Sequence, residues 1–194
     1  MFGHLKAGRN IMILLLVGIL LWSLSHGFKR IAPAQRKALG NRGKILTTAS
    51  ILLGLILMII GYQQADLILI WSPPQFLRHL NNFLMLLSVA SLAAAHSKGR
   101  IRGLLRHPML TSVKIWAIAH LLVNGDLASI VLFGSMLLWA VWTVVQLNRA
   151  GNWQRPEPGN PKSDWLFVVI TLVVFTVISG IHVWLGVSPF GSYS

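Results

Sequence analysis

Six apolar segments, each of about membrane-spanning length, constrain this chain more than any other feature. A transmembrane helix needs about 20 mostly apolar residues. The segments cover residues 10–28, 45–65, 76–96, 108–124, 126–148 and 164–186. The pattern therefore predicts an all-α fold, a polytopic membrane helix bundle of about six transmembrane helices that forms a single domain over residues 1–194.

The charge composition supports a membrane protein and argues against a nucleic-acid partner. Only 11% of the 194 residues are charged, whereas soluble domains have about a quarter. The net charge of +13 resembles that of nucleic-acid-binding proteins. However, the basic residues lie in short links between apolar segments, where they set topology and contact anionic lipid headgroups. We therefore expect membrane lipid, not nucleic acid, as a partner. The absence of cysteine excludes disulfides and thiolate sites.

Local signals place the segment boundaries and the orientation. Pro73 and Pro74 precede the third helix, Pro108 starts the fourth, and the stretch 124–126 predicts a tight turn into the fifth. The links after the first, third and fifth helices carry six, four and three Lys or Arg residues, respectively. The other side has only Lys6, Arg9 and arguably Arg78. By the positive-inside rule, both termini are predicted to be non-cytoplasmic, in the cell inner membrane.

The histidines in these apolar segments need an explanation, because an ionisable group at membrane depth is energetically costly and is usually functional. His4 and His96 are expected to face solvent or headgroups. The remaining five form two predicted layers, which are His26 and His107 toward the cytoplasm and His79, His120 and His182 toward the outside. His107 and His120 lie about 19 Å apart along one helix and cannot bind the same atom.

Imidazole is a common ligand of transition metals and of haem iron. A hydrogen bond to Ser, Asn or a backbone carbonyl would also explain a buried histidine without any cofactor. Asn82, Asn124 and Asp126 are candidate hydrogen-bond partners of the outer layer, and His107 is expected to cap the entry of its helix. The sequence contains no glycine-rich phosphate loop, HExxH pair or nucleophile elbow.

Four strings resemble the NnrU family of bacterial membrane proteins over nearly the whole chain. They are SHGFKRIAP (25–33), RHPML (106–110), KIWAIAHLLVNGDLA (114–128) and HVWLGVSP (182–189). NnrU proteins are associated with denitrification, and the family is similar to the 15-cis-zeta-carotene isomerases. Those integral membrane enzymes use haem b to isomerise a carotenoid double bond without net redox change.

The resemblance implies haem ligands at two positions, His26 and His120, and places the histidine of the RHP motif at His107. The predicted depths of His26 and His120 in the membrane differ, so His79 is a substitute partner of His120. Ala117 stands where the isomerases have a cysteine, so thiolate ligation is excluded here. A further downstream histidine of the isomerases has no counterpart. The candidate metal ligands are therefore His26 and His120, and the candidate cofactor-binding set also includes His79, His107 and His182.

The function implied by the resemblance is a haem-dependent cis-trans isomerase acting on an apolar polyene or a related small molecule. The alternative is a non-catalytic accessory protein for denitrification that assists expression or maturation of nitrite or nitric oxide reductase. The RHP motif before an apolar helix is also similar to isoprenylcysteine-type methyltransferases, but their cofactor-binding tail is missing. A transporter is disfavoured because no charged midplane pathway or broken-helix repeat occurs.

Overall fold

A computed structural model describes the backbone of residues 2–190 and the side chains of residues 11–190, and it confirms an all-helical fold. The described chain forms seven α-helices: α1 (Phe2–Ile31), α2 (Pro33–Ala38), α3 (Gly40–Gln63), α4 (Leu77–Ala94), α5 (Pro108–Val123), α6 (Leu127–Arg149) and α7 (Ser163–Trp184). A short 3-10 helix covers Arg100–Gly103. Every predicted segment contains one long helix. Two short helices, α2 and the 3-10 helix, were not predicted and lie in basic links.

Among the described residues, four stretches of helix are long and apolar enough to cross a membrane: Ile11–Ile31, Gly40–Gln63, Leu127–Arg149 and Ser163–Trp184. Two predicted spans are weaker. Helix α4 has 18 residues and begins with polar turns, whereas α5 has 16 residues and rises only about 24 Å against a hydrocarbon core of about 30 Å. The chain is thus a helical membrane bundle with four long apolar helices. The positions of Lys6 and Arg9, which entered the predicted orientation, lie outside the described side chains.

The described chain divides into two compact units, and the single-domain organisation stays a prediction. Unit one comprises residues up to 71 together with 125–135. Unit two comprises residues 72–124 together with those from 136 onward. The first part of α6 therefore belongs to unit one and the rest to unit two.

In unit one, α1 and α3 pack against each other at glycines. A Cβ placed on Gly54 would lie 2.8 Å from the backbone nitrogen of Trp22, and one on Gly18 would lie 2.7 Å from the backbone nitrogen of Met58. Small residues allow the backbones of membrane helices to approach closely, which is the usual basis of their packing. The pairs Gly18–Met58 and Trp22–Gly54 run in opposite directions along the two helices, so α1 and α3 are antiparallel.

The segment before α6 is extended and pairs with another extended segment of unit one. The amide of Ile70 donates to the carbonyl of Gly125 over 2.8 Å, and the amide of Leu127 donates to that of Ile68 over 2.8 Å. The tight turn predicted at 124–126 is therefore wrong. Asp126 instead caps α6, because its carboxylate accepts the Ser129 amide over 2.9 Å.

Substituting Gly125 tests this pairing. Gly125 is buried, and a Cβ on it would collide with the carbonyl of Trp71. We expect Gly125→Ala to lower the free energy of unfolding by about 1–3 kcal/mol, because the paired segments must separate. Unfolding of the detergent-solubilised protein measures this. The control is Gly151→Ala, whose Cβ would meet nothing within 4 Å. Equal stability of the two variants would contradict the pairing.

In unit two, α4 packs against both α5 and α7 and is antiparallel to each. Between α4 and α5, the Ser88 hydroxyl donates to the Ser112 carbonyl over 2.9 Å. Two contacts tie α4 to α7. Asn82, near the start of α4, donates to the carbonyl of Pro189 beyond the end of α7 over 3.1 Å. Arg100, beyond the end of α4, forms a 2.7 Å ion pair with Asp164 at the start of α7. The N-terminus of α4 thus lies at the same end of unit two as the C-termini of α5 and α7.

Candidate functional site

Three helix ends of unit two carry the predicted outer layer of histidines. His79 lies in the first turn of α4, His120 in the last turn of α5, and His182 in the last turn of α7. The hydrogen bond from Asn82 to Pro189 places the end of α7, with His182, beside the start of α4. His79 is exposed, whereas His120 and His182 are partly buried. We call this part of unit two, with His79, His120 and His182, the histidine end.

The two partly buried imidazoles are held in the same way. His120 Nδ1 lies 2.9 Å from the carbonyl of Trp116, and His182 Nδ1 lies 2.8 Å from that of Ile178. A carbonyl oxygen only accepts, so Nδ1 carries the proton and Nε2 carries the lone pair in each neutral ring. This is the tautomer in which a histidine binds a metal through Nε2 while its other nitrogen is fixed by a carbonyl.

An aromatic ring also orients His120. The centroids of the Trp116 and His120 rings are 5.3 Å apart, and the ring planes are tilted by 53°. One turn of α5 therefore supplies both a hydrogen bond and a ring contact from Trp116. The imidazole of His120 is held by its own helix.

The three predicted hydrogen-bond partners have other described roles. The side-chain amide of Asn124 donates to the backbone carbonyl of His120 over 2.9 Å and so satisfies a carbonyl in the last turn of α5. Asn82 binds the carbonyl of Pro189, and Asp126 caps α6. Two of them still shape the histidine end, because Asn124 and Asn82 fix the chain at the ends of α5 and α7.

Asn81 is a polar residue of this region that the sequence analysis missed. Its side chain is 9% exposed, its amide nitrogen donates to Asn82 over 3.1 Å, and its Oδ1 has no hydrogen-bond partner among the described residues. Ser88 faces Ser112, so the antiparallel register places Asn81 level with residue 119, beside His120. A buried acceptor without a partner is costly. The signal for it was an Asn-Asn pair inside an apolar helix.

His107 lies at the other end of α5, about 19 Å away along the helix axis. It occupies the N-cap position before Pro108, as predicted, but its side chain forms no cap hydrogen bond. Its Nε2 lies 2.9 Å from Asn148 Oδ1 on α6, and nearby Arg106 donates to the carbonyl of Gly151 over 3.0 Å. His107 thus ties α5 to α6 and is not brought together with His120.

His26 belongs to unit one. Its Nδ1 lies 2.9 Å from the carbonyl of Trp22, and the centroids of the two rings are 3.9 Å apart. The motif of an imidazole fixed by a tryptophan four residues earlier therefore occurs twice, at His26 and at His120. The two implied haem ligands share their local geometry.

The donor set of the histidine end suits a cofactor that needs few protein ligands. No group of three or more His, Asp or Glu that could hold a metal ion occurs within residues 11–190. Haem iron takes only one or two side-chain ligands, most often histidine, because the macrocycle supplies the others. An imidazole whose Nδ1 is bonded to a carbonyl, as in His120 and His182, could serve as an axial ligand of haem iron through Nε2.

Comparison with known proteins identifies the family. A family model described as NnrU protein matches residues 14–189. No curated protein and no solved structure matches the chain. The match includes every candidate ligand, from His26 to His182, and covers nearly the whole sequence. The chain therefore belongs to the NnrU family.

Proposed function

We propose that this protein binds haem b through the imidazoles of the histidine end and isomerises an apolar polyene or a related substrate. One observation carries the proposal: at the same end of unit two, His120 and His182 lie on different helices, and each has Nδ1 bonded to the carbonyl four residues earlier, so that only Nε2 can offer a lone pair to a metal. Such an arrangement orients two nitrogen ligands before any cofactor arrives. His120 is the principal ligand, since the NnrU resemblance also implies it.

Several residues of the chain would hold and surround the group. The Trp116 carbonyl keeps the lone pair of His120 on Nε2, and the Ile178 carbonyl does the same for His182. The unpartnered Oδ1 of Asn81 offers an acceptor to a polar hydrogen of a bound molecule. When bound, haem b supplies the iron centre for rearranging a double bond without net oxidation, and the protein supplies binding, orientation and exclusion of water.

Three histidines are candidates for the second ligand. His182 lies in the last turn of α7, at the same end of unit two as His120. The family resemblance implies His26, and His79 is the substitute partner. Replacing each of these three histidines by alanine in turn, and recording which change alters the haem spectrum, separates the candidates.

We propose the following topology for the bundle. The chain crosses the inner membrane six times, with α4 and α5 as the two shorter crossings and both termini non-cytoplasmic. The basic links then face the cytoplasm. A reporter fused after Ser194, which lies outside the described residues, would be active only outside the cytoplasm. Cytoplasmic activity would overturn this orientation.

The proposed function is tested by the absorption spectrum of the purified full chain, expressed with haem supplied. We expect a Soret band at about one haem per chain, because an imidazole that a backbone carbonyl already orients loses little freedom when it binds iron. Absence of the band would overturn the haem site. A denitrification phenotype restored equally by the wild-type chain and by a His120→Ala chain would instead favour the accessory role.

A further inference from the structure

A groove between α4 and α7 lies at the end of unit two that is opposite to the histidine end. It has a volume of about 420 Å³. Leu92 and Ala93 of α4 form one wall, and Leu166, Phe167 and Ile170 of α7 form the other. An open apolar groove on helices that span a membrane accepts an acyl chain without loss of packing.

The mouth of the groove is cationic. His96 and Lys98 line it, together with the hydroxyl-bearing residues Ser97 and Ser163. The carboxylate of Asp164, at the start of α7, is already engaged, because it accepts the amide of Arg100 over 2.8 Å and its guanidinium over 2.7 Å. Within residues 11–190, the pair Arg100–Asp164 is the single ion pair. The ammonium of Lys98 therefore faces the groove without a neutralising acid.

The backbone around this mouth is fixed. The Gly159 amide donates to the carbonyl of Gly99 over 3.2 Å, and a Cβ on Gly159 would collide with the carbonyl of Lys98. The link before α7 is thus packed on the link after α4. The backbone of Lys98 is therefore held at the mouth by the link before α7.

We propose that the groove binds one anionic phospholipid of the surrounding leaflet, with an acyl chain between α4 and α7 and the phosphate at Lys98. Charge complementarity selects this occupant, because the mouth carries unneutralised positive charge and the walls are apolar. A zwitterionic phospholipid fits the walls but brings its own cation to Lys98. A basic residue near an anionic lipid surface contributes enough to change affinity about fivefold.

Native mass spectrometry of the full chain in detergent tests the proposal, with phosphatidylglycerol and phosphatidylcholine of the same acyl chains as probes. We expect phosphatidylglycerol to bind at least about fivefold more tightly. Lys98→Gln is expected to remove most of this preference, and Lys98→Arg to keep it. Ala93→Phe fills the groove and should weaken binding of both lipids.

The matched control is Lys162→Gln, because Lys162 is an exposed basic residue near the start of α7 that does not line the groove. This variant should keep the preference. Equal affinity of the wild-type chain for the two lipids would overturn the proposal, and so would equal losses for Lys98→Gln and Lys162→Gln. If Lys98→Gln fails to fold, Ala93→Phe decides whether the groove is the binding site. Lipid binding is measured without haem, so failure of the proposed haem function would not affect the proposal of a lipid site.

Discussion

The His120→Ala chain, purified after expression with haem supplied, is expected to show no Soret band. Removing the imidazole removes the proposed iron ligand, which Trp116 orients through a 2.9 Å hydrogen bond. Changes to groups that merely orient a metal ligand already weaken binding by about 10- to 100-fold. Loss of the ligand itself should exceed this range. The measurement is the haem-to-protein ratio from the absorption spectrum.

Two controls make this prediction specific. His107→Ala removes an imidazole at the other end of the same helix, where the ring binds Asn148, and should leave the band unchanged. Added imidazole should partly restore the band of the His120→Ala chain by occupying the vacated space. A band retained by His120→Ala, or lost equally in His107→Ala, would contradict the assignment.

The Gly54→Leu substitution should have the largest effect on stability. Gly54 is buried, and its Cβ would lie 2.8 Å from the backbone nitrogen of Trp22 and 3.0 Å from the Gly18 carbonyl oxygen. Backbone atoms cannot move aside as a flexible side chain can, so α1 and α3 must separate. We expect the free energy of unfolding to fall by about 3 kcal/mol or more, as measured by SDS titration of the protein in mixed micelles.

Gly134→Leu is the matched control for Gly54→Leu. Gly134 also lies within a long apolar helix, but a Cβ there would meet nothing within 4 Å. Leucine is a better helix former than glycine, so this variant should be as stable as the wild-type chain or slightly more stable. Equal destabilisation by both substitutions would mean that the close contact of α1 and α3 does not limit stability.

Continuous apolar stretches were enough to locate the helices, because hydrocarbon requires backbone groups to be bonded within the segment. Pro108 marked the start of α5 correctly, since proline suits the first helical position. Length was harder to judge. Helix α5 ends at Val123 because Asn124 is extended, and that conformation depends on a contact, the Asn124 amide group on the His120 carbonyl. The sequence alone does not reveal such a contact.

The candidate site was predictable in part. His120 and His182 were assigned to one layer from their depth, and the structure places them in the last turns of α5 and α7. Asn81 was missed, since its unpartnered Oδ1 depends on burial by neighbouring helices. Asn82, Asn124 and Asp126 were identified as polar groups of interest, but their described bonds go to backbone atoms, to Asn81 or to Ser129 and not to a histidine side chain. The sequence indicates which polar side chains need a hydrogen-bond partner, but it does not identify the partner.

The sequence by itself determined that this chain is a helical membrane protein of the NnrU family, because long apolar stretches and ordered motifs are local properties. Only the tertiary structure decided that α4 lies between α5 and α7 and is antiparallel to both. The register of those helices brings the start of α4 to His120 and His182 at one end and forms an apolar groove with a cationic mouth at the other. Helix register depends on side-chain packing between residues far apart in the chain, and a linear pattern does not contain that information.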